Sequence, residues 1–347
     1  MSFKVTVHPS NHEFMVADDQ TVLDAALAAG IVLPYSCRNG ACSTCRGKVI
    51  SGTYDAGTSP ALILPPEELE QGYTLFCQVR PSSDLHIEAH EVRMASDIQI
   101  RKMPSRVIAM DKLTDDVMVL TLQLPTADPF RYYAGQYLEF ILRDGQRRSY
   151  SMATAPRENN QVELHLRHMP GGVFTDHVFG TAGTAGTQMK LREVLRVEGP
   201  FGSFFLREDS DKPIVLLASG TGFAPIKAIV ERMVATNNQR KVALYWGGRR
   251  PGDLYMNALA QEWADSLPNF SYTPVVSDAL PEDGWSGRTG FVHKAVMEDL
   301  PNLMGWQVYA CGAPIMVEAA RHDFVHVNGL PEEEFFADAF TSQADIP

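Results

Sequence analysis

The chain has 347 residues, 45% hydrophobic and 21% charged, with 42 acidic against 30 basic side chains and a formal net charge of −12. That size suits two or three domains, each able to bury a core, and the acidic balance argues against nucleic acid or an anionic membrane as the main partner. The N-terminal MSFKVTVHP lacks a basic stretch followed by an apolar run, no apolar run is long enough to span a bilayer, and five cysteines do not make a secreted disulfide framework, so a cytoplasmic protein without membrane insertion is expected.

Residues 3–7 alternate as a strand, and 12–16 can return as its hairpin partner. Thr21-Val-Leu-Asp24 has the form of a capping box opening a short helix that ends at Gly30. Then comes CRNGACSTC, which holds Cys37, Cys42 and Cys45, with Cys77 further on. Zinc ribbons supply two C-x2-C pairs. Here one such pair, one four-residue gap and one distant cysteine stand instead, which is the C-x4-C-x2-C…C spacing of a plant-type [2Fe–2S] site. Two bridged irons need four thiolates at the corners of an elongated unit; an irregular loop supplies three and a returning segment the fourth. Gly40 permits unusual backbone angles, and the small Ala41, Ser43 and Thr44 let amides approach the sulfurs. Zinc and a redox disulfide are the competing chemistries for such a set. Residues 84–89 alternate as a further strand, and the polar stretch 91–101 reads as a linker.

From Ser105 the chain turns strand-rich, at 105–109, 117–124, 136–142, 148–152, 162–168 and 191–197, punctuated by Gly and Pro as in a small antiparallel barrel. Arg148-Ser149-Tyr150-Ser151 lies on one of these strands. Gly171-Gly172-Val173-Phe174-Thr175 opens a helix with backbone N–H groups free to meet a phosphate. From about Asp211, strands at 213–218, 242–246, 272–276 and 307–310 alternate with helices at 224–234, 254–267, 292–297 and 314–326, the pattern of a doubly wound parallel sheet. Ser219-Gly220-Thr221-Gly222-Phe223-Ala224-Pro225 joins the first strand to its helix. Its glycines let a pyrophosphate approach, and Pro225 suits a first helical turn. Tyr245-Trp246-Gly247-Gly248-Arg249 ends the second strand and Cys311-Gly312-Ala313-Pro314-Ile315-Met316 the fourth. Ligands of open α/β sheets bind at these carboxyl ends.

TVLDAALAAGI, CRNGACSTC and LFCQVRP make residues 1–95 resemble the plant-type ferredoxin module. RSYS, GGVFT, GTGFAP, YWGGR and CGAPIM, in this order, make residues 103–347 resemble the ferredoxin–NAD(P)H reductase family of flavoproteins. The fusion resembles the single-chain reductases of bacterial oxygenases and, within that group, the CDP-6-deoxy-3,4-glucoseen reductases of 3,6-dideoxysugar synthesis. The resemblance implies a multidomain α+β and α/β architecture. It comprises a β-grasp ferredoxin over 1–95, a linker over 96–102, a six-stranded antiparallel FAD-binding β-barrel over 103–210 and a Rossmann-like parallel α/β NAD-binding domain over 211–347.

Carried over position by position, the resemblance implies that Cys37, Cys42, Cys45 and Cys77 hold a [2Fe–2S] cluster. Arg148 would hold an FAD phosphate, Tyr150 would pack on the isoalloxazine, Ser151 would hydrogen-bond near N5, and Gly171, Gly172 and Thr175 would bind the pyrophosphate. Gly220, Thr221 and Gly222 would meet the nicotinamide nucleotide, with Pro225, Trp246, Gly247, Arg249, Gly312 and Met316 around it and Cys311 beside the nicotinamide. Asp338-Ala339-Phe340 resembles the acidic-x-aromatic ending whose aromatic, here Phe340, covers the flavin; Asp replaces the commoner Glu, and seven residues follow. The implied activity is that of an NADH-dependent oxidoreductase passing electrons through FAD and the cluster to a partner protein. An oxygenase or hydroxylase component is the first expectation for that partner, a pyridoxamine-dependent sugar dehydrase the second, and a non-catalytic iron–sulfur sensor the alternative of another class. NADH is preferred over NADPH on YWGGRRPGDLY: Asp253 favours NADH, whereas Arg249 and Arg250 could take a 2′-phosphate. A monomer is expected. HDFVH at 322–326 imitates the zinc-protease H-E-x-x-H, but Asp323 replaces the glutamate and no third ligand follows.

Overall fold

The computed structural model describes residues 2–61, 63–89, 93–94, 98–181 and 188–340. At the N-terminus β1 (Ser2–His8) and β2 (His12–Ala17) form the expected hairpin. With β3 (Arg46–Ser51), β4 (Tyr73–Leu75) and β5 (Leu85–Glu88) they build a five-stranded sheet in the order β2-β1-β5-β3-β4. Helix α1 (Val22–Ala28) lays Val22, Leu23, Ala25 and Ala26 into a core with Val5, Val7, Leu85 and Ile87; burial of such a face, more than helix propensity, holds so short a helix. Thr21 Oγ1 caps it by accepting from the Asp24 amide at 3.2 Å. The Asp24 carboxylate, however, pairs with Arg38 at 3.0 Å, so only half of the capping box is used. A second short helix, α2 (Pro66–Glu70), is tied by Glu68 to Arg46, the residue after Cys45, at 2.8 Å.

The middle of the chain holds β6 (Arg101–Lys112), β7 (Val117–Gln123), β8 (Tyr137–Ile141), β9 (Arg147–Ser151), β10 (Gln161–Arg167) and β11 (Val194–Phe201). They form an antiparallel sheet in the order β9-β8-β11-β6-β7-β10. A bridge between Met152 and Leu164 joins its two edges and closes it into a barrel. The interior is apolar, with Val107, Leu120, Leu122, Leu138, Phe140, Leu164 and Val197. Strand β6 starts inside the expected linker because residues 101–106 pair with 194–199; residues 96–97 of that linker lie outside the described residues. Helix α3 (Val173–Phe179) caps one end of the barrel.

The last third alternates β12 (Ile214–Ser219), α4 (Phe223–Ala235), β13 (Val242–Gly248), α5 (Asn257–Ser266), β14 (Phe270–Val276), β15 (Arg288–Thr289), α6 (Val292–Asp299), β16 (Gln307–Gly312), α7 (Pro314–His326) and β17 (Phe335–Ala339). The sheet is parallel throughout, ordered β15-β14-β13-β12-β16-β17. Its central strands are buried on both faces, as their continuous apolar runs require. The winding reverses between β12 and β16, which opens a crevice at their carboxyl ends. The short edge strand β15 was not expected from the sequence, and two further features differ from that reading. Helix α5 begins at Asn257, because Pro251 opens a 3₁₀ turn over Pro251–Asp253; and β17 adds a strand beside β16 that the preceding run of glutamates had obscured. No helix among the described residues is long and apolar enough to cross a membrane.

Candidate functional site: cluster loop, flavin shelf and dinucleotide turn

Between the short strand Ile31–Val32 and β3 the chain has no regular structure, and Arg38 (φ 60°) and Gly40 (φ 83°) bend it in the left-handed region. At Gly40 a Cβ would sit a tight 3.0 Å from the Thr58 carbonyl oxygen in a left-handed conformation that side chains rarely adopt, so the loop favours glycine. All four N-terminal cysteines are free thiols. Cys37 faces Cys42 and Cys45 faces Cys77, each pair within hydrogen-bonding reach. The Cys37 thiol is pulled down first by its hydrogen bond with Cys42, and the Cys77 thiol first by its bond with Cys45. Backbone amides of Asn39 and Ala41 point at Cys37, that of Gly40 at Cys77 and that of Thr44 at Cys42. The Gln78 amide adds a contact to Cys77 Sγ at 3.8 Å. No group of three or more His, Cys, Asp and Glu among the described residues gathers as a single-ion site. Four thiols set two by two, with amides turned to the sulfurs, fit a binuclear iron–sulfide unit.

On the barrel, Tyr150 of β9 stands 5.6 Å from Phe174 and 5.8 Å from Phe140, which makes an aromatic shelf with α3 behind it. Burial raises its hydroxyl above the usual range. Arg148, two residues earlier on the same face, extends its guanidinium to Gln146 at 2.7 Å. Gly171 (φ 84°) turns the chain into α3, and Gly172 is the N-cap residue. Thr175 points back into this turn and donates to the Met169 carbonyl at 2.9 Å. The shelf, the arginine and the glycine turn therefore lie together, as a flavin with its diphosphate requires; the Thr175 hydroxyl is already engaged by the backbone.

In the crevice, Gly220 (φ 51°), Thr221 and Gly222 form a 3₁₀ turn that runs into α4, with the buried Pro225 in its first turn. The turn is wedged against β16: a Cβ on Gly222 would come 2.2 Å from the Cys311 carbonyl oxygen, and one on Gly312 would come 2.1 Å from Ser219 Oγ. Trp246 is fully buried, stacks on Phe223 at 3.9 Å and donates its indole N–H to the Gly220 carbonyl at 3.0 Å. It therefore acts on a nucleotide through the turn. Gly247 is packed beneath Val292, and Arg249 is exposed. Cys311 is also fully buried, its thiol raised first by burial and then by Asp338. Met316 packs instead with Cys37, Cys42 and Val317, on the cluster side. The Phe340 amide donates to the Gly312 carbonyl at 2.8 Å, which brings its ring to the same crevice; residues 341–347 lie outside the described residues.

Sequence reasoning missed the group that joins these parts. Asp338, fully buried on β17, accepts from Ser151 Oγ at 3.1 Å and from Ser36 Oγ, next to Cys37. Burial raises its carboxyl against the pull of the two hydroxyls. Around it Thr44 Oγ1 donates to the Ala337 carbonyl at 3.2 Å, Ser43 meets Glu318, and Tyr137 OH donates to the Ser36 carbonyl at 2.8 Å. Ala337, Ala339 and Val317 cover Cys42. The cluster loop is thus docked on β17 and α7, one strand away from the flavin shelf. The only sequence signal for this tie was the aspartate of the DAF ending. Arg167 was missed too: its guanidinium lies over Gly220, 3.1 Å from where a Cβ would stand, and bonds Asp253 at 2.7 Å.

These features define an iron–sulfur flavoprotein oxidoreductase of the ferredoxin-reductase type. Three domain families match in sequence: the 2Fe-2S iron-sulfur cluster binding domain over residues 5–82, the oxidoreductase FAD-binding domain over 104–206 and the oxidoreductase NAD-binding domain over 216–322. The chain belongs to the family of reductases that carry these three domains in one polypeptide. It is 42% identical over 340 residues to the CDP-6-deoxy-L-threo-D-glycero-4-hexulose-3-dehydrase reductase of Yersinia pestis, covering 98% of this chain and 99% of that protein. It is 35% identical over 344 residues to reductase component 1 of terephthalate 1,2-dioxygenase from Comamonas sp., covering 99% and 98%. Among solved structures, the Amycolatopsis cytochrome P450 reductase GcoB matches with a TM-score of 0.73 at 34% identity, covering 98% and 99%.

Proposed function

We propose that this reductase takes electrons in pairs from NADH at the dinucleotide turn and hands them singly, through the cluster loop, to a separate acceptor protein, an oxygenase or hydroxylase component. The observation that carries the reading is Asp338, which bonds the flavin-shelf Ser151 and the cluster-loop Ser36 at once. Entry and exit sites are neighbours within one chain, which also favours action as a monomer. FAD, when bound, supplies the exchange between a two-electron donor and a one-electron acceptor.

The chain's own residues bind, orient and shield. Gly220–Gly222 offers backbone N–H groups at the start of α4 to the nucleotide's phosphates. Tyr150 and Phe174 give the flavin ring an apolar surface, with Ser151 at its edge held by Asp338. Phe340 stands at the crevice where the nicotinamide would enter, so its ring must move aside for it. Cys37, Cys42, Cys45 and Cys77 would hold the cluster, and Ala337 and Ala339 pack over Cys42 and shield it from water.

NADH is the proposed donor. Arg250 is committed to Asp283 by two hydrogen bonds at 2.7 and 2.6 Å, which leaves only Arg249 of the pair to meet a 2′-phosphate. Asp253 keeps an ionised carboxylate at the end of β13: burial would raise it, but Arg167 and the amides of Arg249 and Arg250 outweigh that. Initial rates with the two nucleotides test this, and equal or better use of NADPH rejects it. A sugar dehydrase as acceptor is the second reading, favoured by the 42% identity to the Yersinia reductase. Reconstitution with an oxygenase component and with a pyridoxamine-dependent dehydrase decides between them: turnover with the dehydrase alone rejects the first.

A further inference from the structure

Strand β10 carries a polar face of period two. Val162, Leu164 and Leu166 point into the barrel core, so Glu163, His165 and Arg167 stand together on the opposite face. Each meets the nucleotide-binding part of the chain. Glu163 Oε1 lies 3.1 Å from Lys227 Nζ on α4. His165 Nδ1 is 2.7 Å from Tyr255 OH. Arg167 Nη2 donates to Asp253 at 2.7 Å.

Lys227 is the central tie. Its buried ammonium also meets Glu231, one helical turn on, at 2.7 Å and donates to the Ala153 carbonyl at 3.1 Å. Ala153 is two residues beyond Ser151 of the flavin shelf. Lys227 is one turn beyond Phe223, where α4 leaves the dinucleotide turn. One side chain therefore grips both the strand end beside the shelf and the helix that presents the nucleotide. Glu231 reinforces the grip by accepting from the Ala155 amide at 3.1 Å.

Each charge in the network has an opposite partner, Glu231 also meeting Arg157 at 3.5 Å and Arg167 also meeting Asp116 at 3.1 Å. Burial alone would raise the Glu163 carboxyl, but His165 and Lys227 bring it down to about 2. Burial lowers His165, so the ring is neutral: Nε2–H donates to Glu163 at 2.9 Å, and Nδ1 accepts the Tyr255 hydroxyl. The Tyr255 ring stands edge-on to Trp246 at 5.2 Å, and Trp246 holds the Gly220 carbonyl. A buried ammonium is tolerated only when fully paired, and apolar packing would serve stability as well. What a charged network adds over apolar packing is a fixed geometry between the two halves.

We propose that the Glu163–His165–Arg167 face, clamped by Lys227, is a rail that sets the distance and angle between hydride donor and hydride acceptor, with Lys227 as a positioning residue that touches neither. This rests on the reading that NADH reduces flavin at this junction, and names the residues that fix the junction.

The test is anaerobic stopped-flow reduction of the holoprotein's flavin by NADH in Lys227→Met, in Lys227→Arg and in Lys227→Met combined with Glu163→Gln. The melting temperature of each flavin-free protein is the second readout. In Lys227→Met the limiting rate should fall roughly 10- to 100-fold, since small misplacements of reacting atoms cost that much. The apparent Kd for NADH should stay within about threefold, because nucleotide contacts are untouched. Lys227→Arg should regain most of the rate. The double variant, which removes the stranded carboxylate with the cation, should regain melting temperature but not rate. A limiting rate unchanged in Lys227→Met, a loss confined to Kd, or a rate that recovers with melting temperature in the double variant overturns the proposal. Wild-type protein whose flavin NADH does not bleach sinks the underlying reading instead.

Discussion

Gly222→Ala probes the dinucleotide turn at its tightest point. The added Cβ would stand 2.2 Å from the Cys311 carbonyl oxygen, 2.5 Å from the Cys311 carbonyl carbon and 2.8 Å from the Gly312 Cα, where ordinary contact begins at 3.4 Å. All three neighbours are backbone of β16, itself hydrogen-bonded between β12 and β17. No side chain can swing away, so the turn must lift by about 1 Å, a displacement that costs about 100-fold in a transfer sensitive to near-attack geometry. Overpacking of this kind costs about 1–3 kcal/mol in stability, too little to unfold a chain of this size. Gly252→Ala is the control: it lies in the adjoining 3₁₀ turn, and its Cβ would meet nothing within 4 Å. The assay is the rate of flavin bleaching by NADH in air-free solution, with iron and flavin content measured in parallel. A slow Gly222→Ala with full cofactor content beside a normal Gly252→Ala is expected. Wild-type bleaching in Gly222→Ala would refute the wedge between β12 and β16 as the nucleotide seat.

Other perturbations separate the remaining parts. Cys77→Ser should abolish the iron–sulfur absorbance while NADH still bleaches the flavin; an unchanged visible spectrum would remove Cys77 from the ligand set. Trp246→Phe keeps the stack on Phe223 but deletes the indole donor to Gly220, which should cost about 1 kcal/mol and raise the apparent KM for NADH about fivefold; an unchanged KM would show that the turn holds itself. The Glu163 carboxyl is depressed from 4.5 to about 2 in the folded chain, so its contribution is full above pH 4.5 and lost as pH falls toward 2. Wild type should exceed Glu163→Gln by on the order of 2–3 kcal/mol near neutrality, and thermal melts across this range should show the gap closing on acidification. A gap that widens instead would contradict the pairing.

The sequence made its largest features legible because spacing and period carry them. Four cysteines at fixed intervals gave the cluster loop, and apolar runs between glycines gave the parallel sheet. The helix after the fourth strand starts at Pro314 and ends near His326 as expected, since Pro314 starts it and the period persists. What sequence did not disclose is how separate surfaces meet. Glu163, His165 and Arg167 carry no motif and only alternate with apolar residues along β10; docking against α4 and the residues after β13 turns their side into an interface. Asp338 reads as the acid of the acidic-x-aromatic ending, but its tie between Ser36 and Ser151, far away in sequence, appears only in the fold. Trp246 and Cys311 stand at strand ends as ligand-facing residues would, yet their side chains point into the sheet's packing. Strand ends specify position, whereas facing depends on the neighbours that cover them.

The account turns on electrons entering at the dinucleotide turn and reaching iron at the cluster loop of the same molecule. Its most direct measurement is an air-free NADH titration of the purified chain, with iron, sulfide and FAD quantified beforehand and the cluster followed by electron paramagnetic resonance. The account predicts bound iron, sulfide and FAD, full reduction by about 1.5 equivalents of NADH, since flavin takes two electrons and the cluster one, and the paramagnetic signal of a reduced binuclear cluster. Zinc in place of iron and sulfide, or a flavin that bleaches while the cluster stays oxidised, would contradict it.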